Sequence, residues 1–427
     1  IELAAIAGSG TVGLNPDNSL SIPTDLPRAD IALFNSQIGV TAGNNSGVAI
    51  HARNLDISGN SYIYSIYSQI GSDVQAVDPQ AGDISLDATD TMQIKEGSFI
   101  SSGVAEGESG NGGNINVTTG SLSLSDGAQI YASTFGSGDA GSVFVQALDS
   151  VSAADNSYIK STVESGAVGN GGDVNITAPT LSLTDGGYVS TGVREASNNL
   201  PAGFGNAGNV NINVSGNVTI SGVKDDVPSG IFSYLGRETK GKGGNINVTT
   251  GSLSLTDGAF LSASTLGQGD AGNIQLTATD SANIAGTAPL SGVPSGLFTL
   301  TTTNGKGGDI TINTNAFRLS DGAVIDARTF ADGNSGNITV NARTFDLSQG
   351  GQFVASTQGK GQAGNIAVNA TTRANITGTD STYSNRQSQS DLNVIAPITT
   401  NSGIFVRSQN SGGAGDITVN TPQLTLD

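Results

Sequence analysis

The sequence predicts an all-β chain folded as a right-handed parallel β-helix, a solenoid of about twelve three-strand coils with loop insertions on one side. Three observations predict it. A phrase of glycine, then Asn or Asp (once Ser), then an alternating apolar pair returns along the 427 residues. Apolar residues inside each copy alternate with period two. Glycine reaches 61 residues, and helical periodicity is nowhere sustained.

The phrase GGNINVTTGSLSL occurs twice, at 112–124 and 243–255, and weaker copies fill the interval. Its glycine recurs at Gly82, Gly113, Gly141, Gly172, Gly208, Gly244, Gly272, Gly308, Gly336, Gly364 and Gly415, in steps of 28 to 36 residues with a last step of 51. Gly47, before VAIHARNLDI, opens an earlier, degenerate copy. Residues 1–46 fit the repeat poorly and read as one or more irregular leading coils; residues 47–427 read as one continuous β-helix.

Each copy reads as three short strands: Ile115 and Val117, then Leu122 and Leu124, then Ile130 and Ala132, separated by Gly, Ser, Thr and Asp. Such strands bury no core alone. Stacked in register, each pairs with its equivalent above and below. Like side chains then form ladders: Ile115, Val174, Ile246, Ile310, Ile338 and Ile366 in one strand, Leu122, Leu181, Leu253, Phe317 and Phe345 in another. At ~4.8 Å between paired strands, about twelve coils make a rod roughly 58 Å long. Glycine suits the corners because tight turns favour positive φ, and Asp-Gly pairs stand at Asp126-Gly127, Asp185-Gly186, Asp257-Gly258 and Asp321-Gly322.

Three insertions share one corner. The phrase V/I-x-I-x-G, a variable stretch, then S-G-I/L-F runs from Val218 to Phe232, Asn283 to Phe298 and Asn375 to Phe405, with inserted residues 223–228, 287–294 and 379–401. They replace the same Asp-Gly turn and therefore project from one side. The longest is polar and long enough for recognition, although a plain surface insertion is the favoured reading.

Composition removes several chemistries. Cys and Trp are absent and His occurs once, which excludes disulfides, Cys-based zinc sites, Cys nucleophiles and multi-histidine metal sites. The 17 basic against 36 acidic residues give a net charge of −19, with the basic residues scattered, so nucleic acid is not an expected partner. No cofactor is expected. Gly236–Gly243 approximates a phosphate-binding loop, but Gly243 follows the lysine where Ser or Thr is required, and a strand follows where a helix should. Gly138-Asp139 and Gly269-Asp270 resemble calcium-binding nonapeptides without the nine-residue period, so ordinary turn aspartates are the favoured reading. Asp126, Asp185, Asp257 and Asp321 stack near one corner on alternate coils, ~9.6 Å apart, near the separation of inverting carboxylate pairs. No cationic partner column is legible beside them, and a turn demands Asp before Gly anyway. His51 reads as a surface-facing strand residue.

The position before the third-strand inward residue is often aromatic: Tyr62, Phe99, Tyr158, Tyr188 and Phe260. Alternation points these outward, as a possible contact stripe for sugar rings or a neighbouring rod. Phe232, Phe298 and Phe405, beside the insertions, pose the same question one position later. Packing along the stack is favoured over ligand contact for all eight.

IELAAIAGSGTVGL (1–14), VAIHARNLDISG (48–59), AGDISLDAT (81–89), GNGGNINVTTGSLSLSDGAQIYAST (110–134) and PAGFGNAGNVNINVSGNVTISG (201–222) resemble the passenger repeats of filamentous-haemagglutinin-like exoproteins of the two-partner secretion family, particularly the cyanobacterial type. The resemblance covers essentially the whole chain. It implies an extracellular or bacterial cell-surface location, export through an outer-membrane two-partner transporter, and a larger fibre acting in adhesion, aggregation or matrix building. The family's separate N-terminal secretion domain is not matched here, so the chain is expected to begin just after it. No catalytic residues carry over.

The expected function is therefore a secreted structural or adhesive rod, part of a larger fibre-forming exoprotein and not an enzyme, with possible self-association and a possible glycan or cell-surface ligand. The rivals are a polysaccharide-processing β-helix enzyme, recognisable by converging acids and cations on neighbouring coils, and a non-catalytic carbohydrate-binding module.

Overall fold

The computed structural model describes residues 1–9, 13–15, 20–21, 26–41, 46–68, 79–383 and 399–427. Their strands lie chiefly in two parallel sheets, one of 17 strands and one of 12. Within these sheets, each strand away from the two ends pairs with its equivalents in the preceding and following repeats. The first ladder runs in register through Ile115, Val143, Val174, Val210, Ile246, Ile274, Ile310, Ile338 and Ile366. The second runs through Leu122, Val151, Leu181, Val218, Leu253, Ala282, Phe317, Phe345 and Ala374. All of these side chains are buried in one apolar cluster extending from Val48 to Ala374. Burying each large aliphatic side chain contributes about 1.5–3 kcal/mol, which stacking supplies and a single repeat cannot.

The expected three strands are corrected to two. In most repeats the first two fuse, as in Ile115–Leu124 and Ile274–Ala285. The apolar parity changes between Thr119 and Leu122, and a register shift between Thr119 and Ser121 absorbs it, so both apolar pairs face inward along one bent strand. Pro179, which has no N–H to donate, separates Val174–Ala178 from Thr180–Thr184. The shorter sheet holds the third strands, such as Gln129–Thr134 and Tyr158–Val163. Between it and the next long strand runs a glycine-rich arc joined across repeats by single bridges: Ser137 to Val168, Val168 to Phe204, Phe204 to Lys240.

The role expected of glycine divides in two. Asp126 and Gly127 do take positive φ, 55° and 75°, in the turn between the sheets. The repeat glycines before Asn or Asp are instead required by space: a β-carbon on Gly141 would stand 1.9 Å from the Gly113 carbonyl oxygen. The next residue seals the contact. Asp83 Oδ1 accepts the backbone N–H of Asn114, Asn114 Oδ1 that of Ser142, Asp173 Oδ1 that of Asn209 and Asn209 Oδ1 that of Asn245, at 2.7–2.9 Å. Gly-Asn thus lets two repeats close and satisfies the exposed amide of the next.

The insertions do leave from one corner. Val223–Lys224 pairs antiparallel with Val227–Pro228, Thr287 bridges Pro294, and Thr379 bridges Asn401. Beneath each, the amides of Ser229, Ser295 and Ser402 donate to the carbonyls of Gly222, Gly286 and Gly378. Residues 384–398 of the longest insertion lie outside the described residues. In the leading segment, Glu2–Ala4 and Ile31–Phe34 pair with the two halves of Val48–Ser58, and Gln37–Thr41 pairs with Tyr62–Tyr67.

Candidate functional site

The outward face of the shorter sheet gathers the aromatic residues. Tyr62 pairs with Phe99, and Tyr158 with Tyr188, at one register position; their ring centroids stand 4.4 and 5.0 Å apart. In the next repeat that position is Gly230. Phe232, two residues on, folds back over it, so that a β-carbon on Gly230 would lie 2.4 Å from the Phe232 ring. The column continues from Tyr188 to Phe232, Phe260 and Phe298 with centroids 5.9, 5.2 and 5.4 Å apart. Phe298 covers Gly296 and Phe405 covers Gly403 in the same way. In the phrase S-G-I/L-F, glycine opens the place its phenylalanine fills.

Stacking alters the exposure expected of this stripe. Phe298 is buried, and Tyr62, Phe99, Tyr158, Tyr188, Phe232, Phe260 and Phe405 are half-buried. Each such pair contributes about 0.5–1.5 kcal/mol beyond its buried area. Phe405 packs with Phe298, Val324 and Val354 in a separate outward cluster.

Beside the tyrosines lies a charged group that sequence reasoning missed. Lys160 Nζ donates to Glu164 Oε1 at 2.9 Å, the Thr162 hydroxyl to the same oxygen at 2.6 Å, and Arg194 Nε lies 3.7 Å from Glu164 Oε2. Lys160 also lies over the rings of Tyr131 and Tyr158. Burial works to raise the Glu164 carboxyl; the Lys160 charge, the two hydrogen bonds and Arg194 outweigh it and hold the group below its ordinary value. Burial pushes the phenols of Tyr158 and Tyr188 well up. The spacing of Lys160 and Glu164 was legible, but no local signal brings Arg194 from the next repeat.

Further along the column a groove of about 410 Å³ opens, lined chiefly by Phe232, Tyr234, Phe260, Leu266, Phe298 and Leu300, with Arg237 also lining it. Of these, only Phe232, Phe260 and Phe298 were candidates from sequence. Tyr234 sits two residues past Phe232, at the next outward position of its strand, and alternation could have found it.

No family model, curated protein or solved structure matches this chain.

The other candidate chemistry disperses. Asp126, Asp185, Asp257 and Asp321 are exposed and have φ of 48–57°, the conformation of the turn itself. Asp139 Oδ1 accepts the Asn170 amide and Asp270 Oδ1 the Lys306 amide, each binding the following repeat. Among the described residues, no group of three or more His, Cys, Asp or Glu side chains could hold a metal ion. Gly236–Gly243 is a turn leading into the strand Ile246–Thr256. His51 points outward between buried Ile50 and Ala52, with Nδ1 3.4 Å from Asp87 Oδ2 and Nε2 3.7 Å from Glu2 Oε1.

Proposed function

We propose that the chain is a structural and adhesive rod, a right-handed parallel β-helix of about twelve coils displayed on a bacterial surface or secreted, within a larger fibre-forming exoprotein of the filamentous-haemagglutinin-like kind. One observation carries the reading: strand-for-strand parallel pairing continues from Glu2–Ala4 to Leu424–Leu426 through a single line of repeats. Such pairing converts chain length into reach, which is what a fibre needs. Export through an outer-membrane two-partner transporter and self-association into fibres belong to the same proposal.

The rival enzyme reading asks for acids and cations converging on neighbouring repeats, and Glu164 with Lys160 and Arg194 comes nearest. There a single carboxylate is held ionised by two cations, while the adjoining phenols are pushed away from proton abstraction. That favours a packed ion network over a general acid or base.

Display of the chain on an otherwise non-adherent bacterium tests the proposal. Cells should clump, settle on surfaces more than undecorated cells, and carry fibres visible by electron microscopy. Equal settling, or release of new sugar ends from an acidic polysaccharide, overturns it.

A further inference from the structure

We infer that the groove between Phe232 and Leu300 is a binding site for an anionic amphiphile, a molecule with an apolar chain or ring body and one carboxylate that Arg237 receives. Its volume, about 410 Å³, falls within the range of small-molecule sites, ~300–1,000 Å³. Its walls are Phe232, Phe260, Phe298, Leu300 and Leu266. Leu266 is 36% exposed, a large apolar side chain open to solvent at the groove.

The polar groups decide the ligand class. Ser262 and Ser264 also line the groove, but their hydroxyls bond each other at 2.7 Å, and Ser264 Oγ further accepts the Leu300 amide at 3.0 Å. The Tyr234 hydroxyl lies 3.4 Å from Arg194 Nη1. A sugar, which needs several directional partners around its ring, finds these groups already engaged. Arg237 is different: it is exposed and makes no ion pair among the described residues. It therefore offers a forked set of donors beside an apolar cleft. Charge complementarity at that one point selects an anion, and the walls select an apolar body. This inference does not rest on the adhesive reading, because it needs only the outward face of the shorter sheet.

Isothermal titration of the full chain with dodecanoate, kept below its micelle concentration, tests it. One site is expected, with 1-dodecanol binding at least about tenfold more weakly, as expected from loss of a charge-assisted contact. Arg237→Gln should weaken dodecanoate by a similar factor while leaving dodecanol unchanged. Leu266→Glu should abolish binding of both, with an unchanged melting temperature showing that the fold persists. No heat with dodecanoate, equal affinity for acid and alcohol, or affinity unaffected by Arg237→Gln each overturns the assignment. So does binding of a neutral oligosaccharide that competes with dodecanoate at the same site.

Discussion

Gly308 lies so close to Gly272, its equivalent one repeat earlier, that a β-carbon on Gly308 would stand 1.8 Å from the Gly272 carbonyl oxygen and 2.6 Å from its carbon. No side-chain rotation relieves such a contact, because both obstructing atoms are backbone. Gly308→Ala should therefore pry two repeats apart and cost on the order of 3 kcal/mol, the upper end for overpacking. Gly413 has nothing within 4 Å of its would-be β-carbon, and Gly413→Ala should change stability by less than about 0.5 kcal/mol. Thermal melts of the two variants compare the effects, and faster amide exchange around Asn273 and Asp309 would localise the damage in Gly308→Ala. Equal melting temperatures would sink this account of the repeat glycine.

Glu164 and its cations make a pH prediction with a definite sign. Its folded carboxyl titrates below the ordinary glutamate value of 4.5. The stabilisation is thus fully present above that value and is lost as pH falls through the lower, folded value. Glu164→Gln removes this component. The stability difference between wild type and Glu164→Gln should be flat near neutrality and shrink below pH 4.5. Denaturant midpoints across that range check it, and a difference that grows on acidification contradicts it.

Asp326 takes the opposite sign. It is wholly buried on the outward side of the shorter sheet, with its carboxylate oxygens against Arg328 Nε at 2.7 Å and the Arg328 amide at 3.0 Å. Burial raises its carboxyl against the pull of Arg328. The folded state then holds the proton more tightly than the unfolded chain, so this group's contribution falls as pH rises from the ordinary value of 3.8 through the folded one. Arg328→Gln leaves the carboxylate buried without its cation and should cost roughly 3–5 kcal/mol at neutral pH. Asp326→Asn combined with Arg328→Gln should recover much of that loss, which a melting series of the three proteins measures.

The inward ladders were legible because they are local. Alternation marks Ile115 and Val117, and a recurring glycine supplies the register, so Ile115, Val174 and Ile246 could be aligned before any pairing was known. What escaped depends on two repeats at once. Phe232 looks like a residue beside its insertion, and only the stack shows that it fills the gap over Gly230 between Tyr188 and Phe260. The fused long strand escaped for a similar reason, since the shift between Thr119 and Ser121 is defined against neighbouring strands rather than along its own. Arg194 and Glu164 are thirty residues apart in sequence, with nothing in either segment to name its partner. The groove beside Arg237 collects side chains from consecutive repeats, and strand alternation alone does not determine how the glycine-rich arc curves around them.

The insertions should be dispensable to the fold. The 287–294 loop leaves and re-enters at one point, where Thr287 bridges Pro294 and the Ser295 amide donates to the Gly286 carbonyl at 3.0 Å. Its Leu290 is 90% exposed, and its buried Ala288, which lies over Gly258 of the preceding turn, is small. The strands on either side, Ile274–Ala285 and Gly296–Phe298, are held by pairing to the repeats before and after. Replacing residues 286–294 with Asp-Gly restores the turn that Asp257-Gly258 and Asp321-Gly322 make in the adjacent repeats, where both residues have positive φ. A shorter closed loop loses little entropy on folding, so the melting temperature should change by no more than a few degrees. Far-ultraviolet circular dichroism and the scattering-derived long dimension should stay those of the parent. Collapse of the β signal would mean that the loop, rather than the parallel stacking, holds these repeats together.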